Sequence, residues 1–337
     1  MKIKIIAAVC ISIAALIIGV AIGSINISPN VVLRVISSNL FGLDHDVAAS
    51  YNAIVWNLRL PRTLLAFCAG AALSVSGAVM QSILRNPLAS SYTLGVSSGA
   101  SFGASLVIFL GFSLPVLSFL TLPILGFAFG LGTILIVIVI ARQLDFRLEN
   151  HTIILTGMVF ALFINAVTTL MFALFREGTQ RMILWQMGSF SMSGWQAVYI
   201  LAPIAIAGIV FITRYKHELD IMTFGEEQAQ TVGVNTGRVK LILLVVSAAL
   251  TGGTIAFVGV IGFVDLVAPH VVRKIFGAAH KIVIPMSALV GGTFMVVADI
   301  LARTLTSPME LPVGAVTAII GAPFFAYVYF YRRKKEA

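Results

Sequence analysis

Apolar runs about 20 residues long recur along nearly the whole chain, and they leave few ways to fold it. A run of that length crosses the ~30 Å hydrocarbon core as an α-helix, whereas a barrel strand needs only about ten residues of alternating polarity. Inside lipid every backbone N–H and C=O must find an internal partner, which a helix supplies on its own. Hydropathy places spans over 5–25, 63–83, 93–112, 119–141, 152–174, 196–213, 241–258, 260–276, 282–302 and 311–331. The expected fold is thus an all-α polytopic membrane protein of about ten spans, forming one transmembrane domain over 1–337. With 59% hydrophobic and 10% charged residues, the chain falls far from the roughly 25% charged share of soluble domains. The first apolar run follows Lys2 and Lys4 and exceeds the ~7–15 residues of a cleaved signal, so it reads as an uncleaved span. The run from Leu241 is broken by Gly252, Gly253, Gly259 and Gly262. A split near Gly259 brings both termini to one side.

The net charge of +9 speaks for topology rather than for nucleic acid. Of the 22 Lys and Arg, 16 fall on the side of the termini, including Lys4, Arg85, Arg147, Lys240, Arg273 and the tail Arg332–Lys335. The other 6 are Arg34, Arg59, Arg62, Arg176, Arg181 and Arg303. The richer side is expected to be cytoplasmic, in a cell membrane crossed many times. On the poorer side, Ser28-Pro29 followed by Val31, Val32, Val35 and Ile36 predicts a surface helix with an N-cap and Pro at N1. Trp185 and Trp195 suit an interfacial position.

One stretch interrupts the apolar pattern. Residues 214–240 carry eight formal charges, and His217 can add a ninth. Thr223 and Glu226 have the T-x-x-E spacing of a capping box, Glu226 and Glu227 suit a helix N-terminus, and Gly233 suits a left-handed stop. Two readings stand: a structured knob on a cytoplasmic loop that meets a partner, or a solvated connector.

Chemistry of the enzymatic kind finds no foothold. No G-x-x-x-x-G-K-[ST] loop, HExxH motif, paired cysteine or histidine cluster is present, so no catalytic or metal-binding residue is assigned. The spans hold two acids, Asp265 and Asp299. Asp299 precedes Arg303 by one turn, the spacing of a structural clamp, and Asp265 lies near Pro269, where a broken helix would satisfy it. Asn165, Thr168 and Thr169 share roughly one face with Ala161, as in a weakly binding conduit or as packing hydrogen bonds. Gly70, Ser74, Gly77, Gly99 and Gly103 suit close helix contact. Arg59, Arg62 and Arg303 stand against the charge bias, either as forks for carboxylates or as headgroup anchors.

In order along the chain come Arg59-Leu60-Pro61-Arg62, Ser76-Gly77-Ala78-Val79, Asn86-Pro87-Leu88-Ala89 and Leu94-Gly95-Val96-Ser97. Trp185-Gln186-Met187-Gly188, Gly225-Glu226-Glu227, Pro269-His270, Ala298-Asp299 and Leu311-Pro312-Val313-Gly314 follow. This ordered set resembles the FecCD-type permeases of ABC importers for iron-siderophores, haem and cobalamin. The resemblance implies a dimer of ten-span subunits, as two copies or a paired paralogue. Two cytoplasmic ATPases dock below, carrying ATP and Mg²⁺ that this chain lacks, and a substrate-binding (lipo)protein docks outside. Carried over, Thr223, Phe224, Gly225, Glu226, Glu227, Ala229, Val232 and Gly233 form the coupling element. Arg59, Arg62 and Arg303 take carboxylates of the binding protein. Asn150, His151, Ala161, Asn165 and Thr168 belong to the path and gate. A ferric siderophore is the implied cargo, with haem or cobalamin as alternatives. The rival from another class is an ion-coupled secondary transporter using Asp265 or Asp299.

Overall fold

The computed structural model describes residues 1–336 except 24, 44–46, 116–117, 147 and 192–193, with side chains described through Tyr327. Arg147 and the side chains of Arg332, Arg333, Lys334 and Lys335, counted above among the inner cations, lie outside that set.

The helices in chain order are α1 (Lys2–Ala21), α2 (Pro29–Phe41), α3 (Ala49–Asn52), α4 (Leu60–Ile83), α5 (Val96–Leu110), α6 (Thr121–Leu144) and α7 (Asn150–Leu174). They continue with α8 (Thr179–Gln186), α9 (Trp195–Thr213), α10 (Lys216–Met222), α11 (Glu226–Thr231), α12 (Thr236–Val258), α13 (Val264–Phe276), α14 (His280–Thr304) and α15 (Val313–Glu336). Each of the ten expected spans corresponds to one of these helices. Among the described residues, seven segments are long and apolar enough to cross a membrane: α1, Ala49–Ile83, Ser118–Leu144, α7, α9, α12 and α14. α5 and Val313–Tyr327 are shorter apolar helices.

The expected eighth span differs most. Its helix, α13, has 13 residues, about 20 Å at 1.5 Å per residue, and carries Asp265, Arg273 and Lys274. The split at Gly259 is present: α12 stops at Val258, and Gly259 has φ +76. Pro269 sits within α13 without breaking it. The non-helical stretch lies upstream, between Val258 and Val264, half-buried, with Gly259 and Ile261 enclosed. Gly188 and the carbonyl of Trp185 lie against Gly259, which has room for no side chain.

α4 is the hub. It packs against α14, α12, α13, α9 and α1. Lipid tails are as apolar as leucine, so close backbone approach and buried hydrogen bonds must hold such helices together. A Cβ at Gly70 would lie 2.2 Å from the Gly291 carbonyl oxygen, and one at Gly77 would lie 1.9 Å from the Asp265 carbonyl oxygen. Gly99 and Gly103 bring α5 against the Phe129 and Leu125 carbonyls of α6, which a Cβ would meet at 2.6 and 2.5 Å. Ser76 Oγ donates to the Ser247 carbonyl at 2.9 Å and meets Ser91 Oγ and Thr251 Oγ1 at 2.9 and 2.8 Å, joining α4 to α12.

Upstream of α4, Ala53–Arg59 is a π-helix. Its wider ring shows at Leu60, whose N–H donates to Val55 O. Pro61 has no N–H to offer, which leaves the Trp56 carbonyl without a partner in its own helix. Trp195 Nε1 fills the gap from α9 at 2.8 Å, with the two indole rings 5.1 Å apart. Ser28 caps α2 as expected, accepting from Val31 N.

Gly70→Ala should lower the thermal unfolding midpoint in detergent, because overpacking a tight core costs about 1–3 kcal/mol. Gly132→Ala, where nothing lies within 4 Å of the added methyl, should leave that midpoint level or raise it.

Candidate functional site

Polar side chains concentrate at the two ends of the bundle. At one end α1 finishes with carbonyls that no further turn can satisfy. Arg59 Nη1 donates to Val20 O (3.2 Å) and Ala21 O (2.8 Å), and its Nη2 donates to Ile25 O (2.5 Å). Arg303 donates to Gly19 O (2.8 Å) and Ile22 O (3.2 Å). Two guanidinium groups therefore cap the C-terminus of α1, where the helix dipole favours cations. Arg62 lies between two carboxylates. Asp299 Oδ1 is 2.9 Å from its Nε and Nη2, and Glu310 Oε1 is 2.8 Å from Nη1. Asp299 also pairs with Arg303 at 3.1 Å, the clamp expected from their spacing.

All three arginines are buried, where the sequence suggested open forks or headgroup anchors. The reason is that backbone carbonyls and Asp299 already engage them. The two acids differ in exposure: the Asp299 side chain is 1% exposed and that of Glu310 is 41% exposed. The arginines and Glu310 line a cleft of about 520 Å³ together with Gly23, Asn57 and Ser191.

The opposite end gathers the charged loop. Lys4 donates to Ile275 O, and Arg273 donates to Gln81, Ala78 O and Ser82 Oγ. Arg85 shares a hollow with Phe224–Gln228. These cations lie together, as the charge count predicts. Residues 214–240 form two short helices, α10 and α11. Asp220 Oδ1 accepts from the backbone N–H of His280 (2.8 Å) and is 2.6 Å from its Nδ1, while His280 Nε2 is 2.7 Å from Ser82 Oγ. This Asp–His–Ser order matches a hydrolytic triad only on paper. Ser82 Oγ is buried and donates to Ala78 O at 2.8 Å, so the chain is a strut fastening α10 to α14 and α4.

The expected capping box is absent. Thr223 Oγ1 donates back to Asp220 O at 2.6 Å, because α10 ends there. Gly225 is the N-cap of α11, at φ +137, where a side chain is disfavoured and a Cβ would meet Gln228. Glu226 turns away to Lys240 Nζ at 2.5 Å. Gly233, at φ +88, follows the helix as expected. Ala229 is buried against the bundle, whereas Phe224 (77% exposed) and Val232 (66%) stand clear with Glu227.

The conduit residues separate. Ala161 faces Gly95, and Thr168 is buried with its hydroxyl on Ile164 O. Asn165 and Thr169 point outward, Thr169 donating to Asn165 O. About half of α7 is exposed, including Leu155, Met158, Leu162 and Phe163. At its start His151 is exposed, 3.4 Å from Glu149, and Asn150 Oδ1 accepts from Lys240. Asp265 is buried; Ser90 and the backbone N–H groups of Asp265 and Leu266 at the start of α13 reach its carboxylate, with Oδ2 unpartnered, and Pro269 breaks no helix to serve it. Lys240, Asp220, His280 and Glu310 carry site geometry that the sequence alone did not assign. The signal available for Lys240 was a cation immediately before an apolar span.

Residues 10–331 match the FecCD transport family. The chain belongs to that family. It is 41% identical over 316 residues to the uncharacterized ABC transporter permease protein YvrB of Bacillus subtilis, covering 93% of this chain and 89% of that one. It is 35% identical over 320 residues to the Fe(3+)-citrate import system permease protein YfmE of the same organism, covering 95% and 92%. Among solved structures, an inward-facing conformation of a metal-chelate type ABC transporter superposes with a TM-score of 0.86 at 28% identity, covering 98% of this chain and 100% of that one. The protein is accordingly an ABC importer permease of the FecCD family.

Asp299→Asn should destabilise this permease by about 3–5 kcal/mol, because it strips the compensating charge from two buried arginines. Glu310→Gln should cost about 1 kcal/mol or less at its half-exposed site. Thermal unfolding in detergent compares the two.

Proposed function

We propose that this FecCD permease works as one of two membrane subunits of an ATP-driven importer of ferric siderophores. The observation that carries the reading is the exposed apolar and acidic surface around α11: Glu227 on the helix and Phe224 and Val232 at its two ends stand clear, while Glu226–Lys240 straps α11 to the bundle and Asp220–His280 straps the preceding α10. A rigid projection is suited to receive force, and the chain has no phosphate-binding loop of its own. Two cytoplasmic ATPases are therefore assigned to this end, which also places both termini in the cytoplasm. The likeness to an iron-citrate permease supports an iron chelate as cargo.

The arginine cleft is assigned to a substrate-binding protein. Of its charged contacts, Arg62–Glu310 involves the acid with 41% exposure, so it is the one a carboxylate from outside can replace. Release of Arg59 and Arg303 would uncap α1, which makes them supports of the cleft as much as its contacts. α7 and its start at Asn150 and His151 are assigned to the path and gate, with Ala161, Asn165 and Thr168 along it.

Uptake by vesicles holding permease, ATPase and binding protein tests the cargo, with ferric siderophore, haem and cobalamin as separate arms. Accumulation of the siderophore alone supports the reading, and accumulation of either other ligand alone refutes it. Phe224→Ala should weaken ATPase association by roughly thirtyfold, the scale of a 2 kcal/mol interface anchor, as read by co-purification titration. Glu310→Gln should tighten binding-protein docking at low salt by freeing Arg62, with the gain shrinking as salt rises. Docking measured in nanodiscs checks this, and weaker docking by Glu310→Gln would count against the exchange.

A further inference from the structure

We propose that Lys240 is the positioning residue that makes α11 and the start of α7 move as one body. The inference rests on the coupling role given to α11 above and adds the route by which its motion reaches the path helix.

Lys240 lies near the start of α12, with its side chain 1% exposed. An ammonium has three protons and accepts nothing, so burying it is costly unless each proton is placed. Here each is placed: on Glu226 Oε1 of α11 at 2.5 Å, on Asn150 Oδ1 at the first residue of α7 at 2.9 Å, and on Leu148 O in the turn before α7 at 2.9 Å. Three chain segments meet at one nitrogen.

The turn itself supplies a second observation. Leu148 has φ +52, a left-handed conformation that an L-residue with a bulky side chain disfavours. It is the carbonyl of this residue that accepts from Lys240. Strain of this sort persists where the surroundings over-determine it.

α11 also has a tie of its own to α12, from Gln230 Nε2 to Thr236 Oγ1 at 2.9 Å. Loss of Lys240 would leave α11 resting on α12 but disconnected from α7. A pull on Glu226 then no longer reaches Asn150 and Leu148. Glu226 is thereby an internal strut, and the surface offered to the ATPase is that of Phe224, Glu227 and Val232.

The test uses the permease–ATPase–binding-protein assembly in lipid vesicles, with Cys10→Ser and Cys68→Ala as background. Spin labels are introduced through His151→Cys and Gln228→Cys in one permease copy per assembly. With Lys240 present, the label separation should stay constant between nucleotide-free and ATP-bound states. Lys240→Met should broaden or shift it, and should lower the chelate imported per ATP hydrolysed by roughly 2- to 30-fold. Lys240→Arg should recover both, which a purely structural loss would not distinguish by charge. If Lys240→Met does not assemble, Asn150→Leu removes one acceptor on α7 alone and should shift the separation in the same way. A separation that changes with nucleotide in the presence of Lys240 would overturn the proposal. So would a Lys240→Met or Asn150→Leu protein with unaltered separation and import ratio. Failure of the unsubstituted permease to bind the ATPase would sink the coupling reading and this one with it. Normal assembly with an inert Lys240→Met sinks this one alone.

Discussion

A bilayer offers apolar helices no reason to prefer each other over lipid, and the fold depends on how α4 overcomes this. Its small residues let backbones touch where side chains would hold them apart. Gly70 meets the carbonyl of Gly291, and Gly77 meets that of Asp265. Dispersion between such closely packed atoms is small per pair and large in sum. Ser76 adds directional bonds toward α12 at the same depth. With α4 fixed, α12, α13 and α14 find their places around it, and α5 and α6 pack onto α12.

Charge is then disposed around this hub by need. At one end, the open carbonyls of α1 draw Arg59 and Arg303, while Asp299 balances Arg62 and Arg303. At the other, Lys240 and His280 tie the short helices of residues 214–240 to long ones. Both ends are pre-organised in the same manner. A deeply buried ion fixes the geometry, and a half-exposed acid such as Glu310 or a bare aromatic such as Phe224 remains for an outside partner.

Much of this was legible in the sequence because hydropathy over 20 residues is a strong signal and the charges sort by side. The caps at Ser28 and Gly233 and the break at Gly259 were legible for local reasons: each depends on a few neighbours in the chain. The failures were non-local. Thr223 and Glu226 have capping-box spacing, but Glu226 has a stronger partner 14 positions on, in Lys240. The ties of Arg59 and Arg303 to the end of α1 were not legible because the acceptors are carbonyls, which every residue carries and no pattern marks. α13 was expected at full span length because the apolar run continues through 259–263, where the backbone is not helical.

The π turn ahead of α4 sets a phase. The tilted contact of the two indoles and the Trp195–Trp56 hydrogen bond require Trp56 to face α9, and Pro61 leaves the carbonyl that makes this bond available. Each residue added or removed between Trp56 and Pro61 turns everything upstream by roughly a quarter of a turn around the axis. Substitutions in this segment can be absorbed one by one, but a change of length cannot. Lineages of such permeases should therefore drift in composition here while keeping its count of residues.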